Sequence, residues 1–189
     1  APARCDPGSA LGIRHGSLSL SHTMTGWIRR RPGNLLGFLA CVGLLGFALY
    51  AQYGLGLEPC PLCILQRVAV LVVGLLFVAA FIHDPGDRGA RVYGSLIDLV
   101  ALAGIAVAAR QIWIIAQPPG SVAECGASLD YMMAVLPWHE VLGKVLTGSG
   151  ECAKLDWQFL GLNMPTWVLI SLVVVGTWGL AVNWAGRRQ

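Results

Sequence analysis

The sequence predicts an all-α membrane protein, a four-transmembrane-helix bundle with a long periplasmic loop between helices 3 and 4. Three observations carry this reading. Hydrophobic residues make up 56% of the 189 positions and charged residues only 12%, about half the charged share of a soluble globule. The apolar residues gather into four runs of about 20, the number that crosses a hydrocarbon core of about 30 Å at 1.5 Å per residue. The chain also carries 24 glycines, and small residues let helices approach in lipid, where close packing holds a bundle together. The net charge of +3 is too small and too scattered for a nucleic-acid footprint. No repeat or low-complexity tract stands out.

Residues 1–23 are small, polar and glycine-rich, with no apolar period and no apolar core of a cleavable signal peptide. Met24 directly precedes Trp27 and the run Arg29-Arg30-Arg31 and is the expected natural start. Residues 1–30 are thus expected as a disordered cytoplasmic segment and 31–189 as one membrane domain. The first span is expected over 34–53, where there is no charge and Tyr50 and Tyr53 suit an interface. The second runs over 61–82 and the third over 92–115, joined by a tight polar turn over 83–91. Asp98 falls about two turns inside the third span, where a structural hydrogen bond is a better expectation than a proton path. A loop over 116–163 follows, and the fourth span covers 165–184. Within the loop, 129–136 and 141–146 are mostly apolar; they suit either short interfacial helices or segments packed on the span ends. His139 is expected at the surface.

Four spans put both termini on one side, and the arginines choose which. Arg29, Arg30, Arg31, Arg88, Arg91, Arg187 and Arg188 all flank spans on the terminal side, whereas the other side has Lys144 and Lys154 in its loop and Arg67 and Arg110 at span ends. By the positive-inside rule the termini are cytoplasmic. The long loop then lies on the outer, oxidising side, which for a bacterial inner membrane is the periplasm.

Six cysteines are present. Cys5 lies in the tail. Cys41 is mid-span, where a buried cysteine behaves as a small hydrophobe. Cys60 and Cys63 form a C-x-x-C pair at the mouth of the second span, and Cys125 and Cys152 share the long loop. Zinc sites use the C-x-x-C spacing too, but a four-cysteine site wants a second close pair, and Cys125 and Cys152 are 27 positions apart. No metal is expected. Two inert structural disulfides are a further alternative.

Three features favour a redox role. The second span runs inward from the pair, so the positive end of its dipole lies at the thiols, with Pro61 suited to the first turn. Cys63 and Arg67 are spaced i, i+4, on one helix face, and a permanent cation near a thiol favours the thiolate. An arginine inside a span is also costly, about 2.5–3.5 kcal/mol at the centre and less if it snorkels, which marks it as a functional candidate. The segments around both loop cysteines, rich in Gly, Ser and Pro, suit a mobile arm.

The segments Cys60-Pro-Leu-Cys63-Ile-Leu-Gln-Arg67, Ala109-Arg110-Gln111-Ile-Trp113, Thr147-Gly-Ser-Gly-Glu-Cys152 and Asp156-Trp-Gln-Phe-Leu-Gly-Leu-Asn-Met-Pro-Thr-Trp167 resemble the disulfide bond formation protein B (DsbB) family. The resemblance covers about residues 31–184. In the related vitamin K epoxide reductase architecture the loop cysteines precede the C-x-x-C; here they follow it. The resemblance implies a membrane thiol:quinone oxidoreductase, monomeric, with a DsbA-type periplasmic thiol oxidase as partner. The partner attacks Cys125, Cys152 attacks Cys60, and Cys63 beside Arg67 passes electrons to ubiquinone or menaquinone. Met164 and Gln117 are the further quinone-binding candidates. Many relatives carry a histidine where this chain has Ala116, and some carry Glu where it has Gln66. A reductase of the vitamin K epoxide reductase type and a metal-binding membrane assembly protein are the alternative functions.

Overall fold

A computed structural model of the chain describes residues 29–57, 59–118 and 158–185, together with 134, 137, 140 and 143. Four helices dominate: α1 (Arg30–Tyr53), α2 (Pro61–His83), α3 (Asp87–Ile115) and α4 (Met164–Ala185). All four are long and apolar enough to cross a membrane, as the sequence predicts. A hairpin of β1 (Gln158–Phe159) and β2 (Leu162–Asn163) leads into α4.

Two helices begin earlier than expected. α1 starts at Arg30, with Pro32 in its first turn. The first backbone N–H groups of a helix have no internal acceptor, so a proline there removes no bond. α3 starts at Asp87, so the polar turn shrinks to Asp84-Pro85-Gly86. Asp87 suits the positive end of the α3 dipole. Its carboxylate also meets Arg30 of α1 at 2.7 Å. The earlier start puts Asp98 about three turns into α3, deeper than expected. Asp98 makes no hydrogen bond among the described residues, contrary to expectation; its carboxylate faces Gly176 on α4.

The core lies where Cys41 of α1, Val70, Val73 and Phe77 of α2, Ile97 and Ala101 of α3, and Leu172 and Val175 of α4 meet. Cys41 is the small buried hydrophobe expected of it, packed on Gly74. Glycines let the helices close in. A Cβ at Gly37 would lie 2.6 Å from Phe77 Cε1, and one at Gly179 would lie 2.6 Å from Ile97 Cγ2; neither position accepts a side chain without moving its neighbour. Outward faces carry exposed apolar side chains such as Leu39, Leu71, Leu75, Leu99 and Val174, as a lipid-facing surface requires.

Polar clips fasten the end of the bundle that holds the start of α1 and the end of α4. Buried Asn34 and Asn183 exchange side-chain hydrogen bonds of 3.3 and 3.0 Å, and Asn183 Nδ2 also donates to the Gly179 carbonyl. Trp178 Nε1 donates to the Gly33 carbonyl at 3.0 Å. Removing one asparagine of the pair would leave a buried amide unsatisfied, a cost of about 1–3 kcal/mol, whereas an apolar pair would restore balance.

The hairpin is an addition to the expected loop. Leu160 and Gly161 both take positive φ, 53° and 76°, the backbone of a two-residue turn whose twist matches the strands. Asn163 then caps α4: its Oδ1 accepts from the Thr166 backbone N–H at 3.2 Å and from the Thr166 hydroxyl. Pro165 follows in the first turn, where it costs no hydrogen bond.

Candidate functional site

The site forms at the opposite end of the bundle, where α1 ends, α2 begins and α3 ends. α1 closes at Gly54, and Gly56 takes φ 68°, a left-handed turn that glycine accepts without strain. The chain then enters α2 through Cys60. Cys60 is the N-cap residue, extended at φ −66°, ψ 161°, with Pro61 next and its sulfur accepting from the Cys63 backbone N–H at 3.4 Å. The C-x-x-C spacing on a first helical turn brings the two sulfurs together. They are 3.0 Å apart, in reach of a disulfide after a shift of about 1 Å. Cys60 is 9% exposed, and Cys63 is half-buried.

Arg67 lies one turn deeper on α2, half-buried. Its guanidinium donates to Gln52 Oε1 and, at 3.1 Å, to the Ala48 carbonyl, both on α1. The i, i+4 spacing therefore places Arg67 on the cysteine side of the helix, but its hydrogen bonds reach toward α1. A guanidinium has five N–H donors, so these two bonds leave donors over.

Among the described residues, Gln111 of α3 contacts both sulfurs directly. Its Nε2 donates to Cys60 Sγ and to Cys63 Sγ, 3.3 Å in each case. Its Oε1 accepts from Gln66 Nε2 at 2.7 Å and lies 3.7 Å from Cys63 Sγ. Both amides are almost fully buried, Gln66 at 3% and Gln111 at 4% exposure. Gln111 lies in the Arg110-Gln111-Ile-Trp113 segment, where spacing along the chain does not mark it as a site residue. The available signal was two neutral amides inside apolar spans, since polar groups at membrane depth are kept where they have partners.

The remaining candidates are spread more widely. Met164 opens α4, half-buried. Gln117 folds back on the end of α3, its Nε2 donating to the Trp113 carbonyl at 3.4 Å. Ala116 is the C-cap residue of α3 and exposed, and its methyl group offers no hydrogen bond. Arg110 stacks on the Trp113 ring, 4.3 Å from its centroid. Cys125, Cys152 and His139 lie outside the described residues, as do the tail with Cys5 and the two apolar loop segments apart from 134 and 143.

The family model for disulfide bond formation protein DsbB matches residues 30–182. This chain belongs to the DsbB family. Its similarity to individual members spans nearly the whole membrane domain. It is 49% identical to the disulfide bond formation protein B of Chromobacterium violaceum, over 86% of this chain and 96% of that one. Against that of Methylococcus capsulatus the identity is 49%, over 82% and 94%. Against that of Marinobacter nauticus it is 51%, over 74% and 84%. Membership supports a multi-pass membrane protein of disulfide bond formation, a disulfide-forming oxidoreductase. The thiol pair at the head of α2 is the part of the described structure suited to that chemistry.

Proposed function

We propose that this DsbB-family chain is a thiol:quinone oxidoreductase of the bacterial inner membrane that reoxidises a periplasmic DsbA-type disulfide donor. The observation that carries the reading is the pair of cysteine sulfurs 3.0 Å apart on the first turn of a membrane-length helix, with an arginine one turn deeper. A dithiol there borders both water and lipid, so it suits electron passage from a soluble protein to a lipid-soluble acceptor. The arginine-rich side of the bundle faces the cytoplasm, both termini included, and the thiols face the periplasm.

The exchange steps balance as follows. A thiolate of the reduced partner attacks Cys125; the Cys125–Cys152 disulfide breaks and Cys152 leaves as a thiolate. Cys152 attacks Cys60 of the Cys60–Cys63 disulfide, releasing the Cys63 thiolate. The partner's second thiolate resolves its bond to Cys125 and leaves oxidised. Cys125 then attacks Cys152, remakes the loop disulfide and frees Cys60. Two electrons and two protons now reside on Cys60 and Cys63. The Cys63 backbone N–H stabilises charge on Cys60 while it exchanges.

The residues present fit a quinone. Arg67 is a permanently charged donor with N–H groups to spare beside a dithiol, and the adjacent outer surface of α1 and α2 is apolar, with Leu49, Tyr53 and Val68 exposed. Ubiquinone or menaquinone, when bound, supplies the two-electron, two-proton acceptor. Arg67 and Cys63 would hold it, with Met164 and Gln117 as further contacts. Because Ala116 carries no donor, Arg67 bears more of the binding than in relatives with a histidine.

Substituting Cys152 with alanine tests the relay. The unpaired Cys125 thiolate of Cys152→Ala attacks the disulfide of an oxidised DsbA-type protein supplied in excess. The expected product is an adduct of the summed mass that dithiothreitol dissolves and that the Cys125→Ala/Cys152→Ala double variant does not form. No adduct from the folded single variant would contradict the relay.

A further inference from the structure

The DsbB resemblance and the exchange steps account for the cysteines and Arg67, but not for two buried amides on facing helices. We infer that Gln111 is a catalytic residue of the Cys60/Cys63 pair, the neutral donor that stabilises its reduced sulfurs, and that Gln66 is the positioning residue that aims it. The inference rests on the reading of this pair as a redox dithiol.

The geometry is specific. Gln111 Nε2 lies 3.3 Å from both sulfurs, so one amide serves both members of the pair. An amide of this kind has two N–H donors, one for each sulfur. Which end of the amide faces the thiols depends on its neighbour. Gln66 Nε2 donates to Gln111 Oε1 at 2.7 Å, which turns the Gln111 NH2 group toward the cysteines. Neither amide has access to water, at 3% and 4% exposure, so the pair is held by its own hydrogen bonds. A buried donor with no acceptor costs about 1–3 kcal/mol, and at the head of α2 the sulfurs supply that acceptor.

The chemical consequence follows from electron density. A sulfur in a thiolate is a far better hydrogen-bond acceptor than a sulfur in a disulfide. A donor shared between the two therefore stabilises the reduced pair, and stabilises whichever sulfur carries the negative charge during exchange. Among the described residues, the Cys63 backbone N–H serves Cys60, and the hydrogen bonds of Arg67 run to α1. Arg110 on the same turn of α3 stacks on Trp113. Among the described residues, Gln111 is thus the side chain positioned to act on both sulfurs, and it does so without a charge that desolvation would penalise.

The test is the redox equilibrium of the pair in the purified full-length protein. Glutathione buffers of graded oxidation, extending to a large excess of glutathione disulfide, are used, and the Cys60–Cys63 peptide is read by alkylation and mass spectrometry. In each cycle two thiols lose two electrons and two protons to one glutathione disulfide, forming one protein disulfide and two molecules of reduced glutathione. Gln111→Leu keeps the volume and removes the donor. It is expected to shift the equilibrium about tenfold toward the disulfide, equivalent to about 30 mV in the reducing direction. Gln66→Leu, which leaves the Gln111 amide free to turn, is expected to shift it the same way by less. The Gln66→Leu/Gln111→Leu double variant leaves no unsatisfied amide, and it is expected to fold and to match Gln111→Leu. An equilibrium unchanged in Gln111→Leu or in the double variant would overturn the inference, because a merely space-filling role leaves that constant alone. No partner protein or quinone enters the measurement. A wild-type pair that exchanges no electrons with the buffer at any ratio would instead count against the proposed function.

Discussion

Cys63→Ser is expected to abolish quinone-linked turnover while still allowing one equivalent of the partner to be oxidised per protein. In the proposed relay the loop disulfide Cys125–Cys152 remains and is consumed once by the partner's dithiol. It cannot be regenerated, because Cys60 has lost the sulfur that lies 3.0 Å away and a serine hydroxyl forms no disulfide. Oxidation of the partner should therefore show a burst of one equivalent and then the uncatalysed background. The volume change is small, and a hydroxyl still accepts from Gln111, so loss of fold is not the expected cause. Counting dithiols oxidised per protein checks this. Sustained quinone reduction above background would mean that electrons leave by a route not involving the pair.

Arg67→Ala is expected to raise the KM for quinone by about 10–100-fold, from the loss of one charge-assisted hydrogen bond of about 1.5–3 kcal/mol at about 1.4 kcal/mol per tenfold. The KM for the partner's dithiol should stay within about twofold, since surface substitutions away from a contact change free energies by less than about 0.5 kcal/mol. Arg67→Lys keeps the charge but loses the planar fork, and should fall between. The structure also gives Arg67 a second duty, its bonds to Gln52 and the Ala48 carbonyl on α1. Steady-state kinetics varied in each substrate separates the two. An equal loss toward both substrates would show that the arginine mainly fastens α1 to α2.

Much of this architecture was legible in the chain. The four spans followed from apolar length, and α2 begins at the predicted Pro61 because a C-x-x-C with proline at the first helical position is a strong local start signal. The ends that moved did so through rules the hydropathy pattern does not contain. Pro32 sits harmlessly in the first turn of α1, and Asp87 extends α3 into the polar turn by suiting the helix dipole. The hairpin before α4 was not legible, because Leu160 is a poor candidate for positive φ. Only its pairing with Gly161 between two short strands makes the turn evident.

The site divides in the same way. The cysteine pair and Arg67 stand out because each is a costly or reactive group beside lipid. Gln111 does not, since its role depends on α3 packing against α2 and on Gln66 one helix over. Spacing along one helix predicts neighbours on that helix, and it says nothing of which side chain arrives from another. The same limit explains Arg67, whose i, i+4 relation to Cys63 was read directly but whose reach toward Gln52 of α1 was not.

The most direct measurement of the central claim is the stoichiometry of coupled oxidation by the purified full-length protein, with reduced DsbA-type protein and ubiquinone or menaquinone followed together. The proposed function predicts one quinone reduced for each partner disulfide formed, with neither reaction proceeding when the other substrate is withheld beyond the first equivalents. Partner oxidation that continues without quinone reduction, or net reduction of the partner at the expense of quinol, would contradict it.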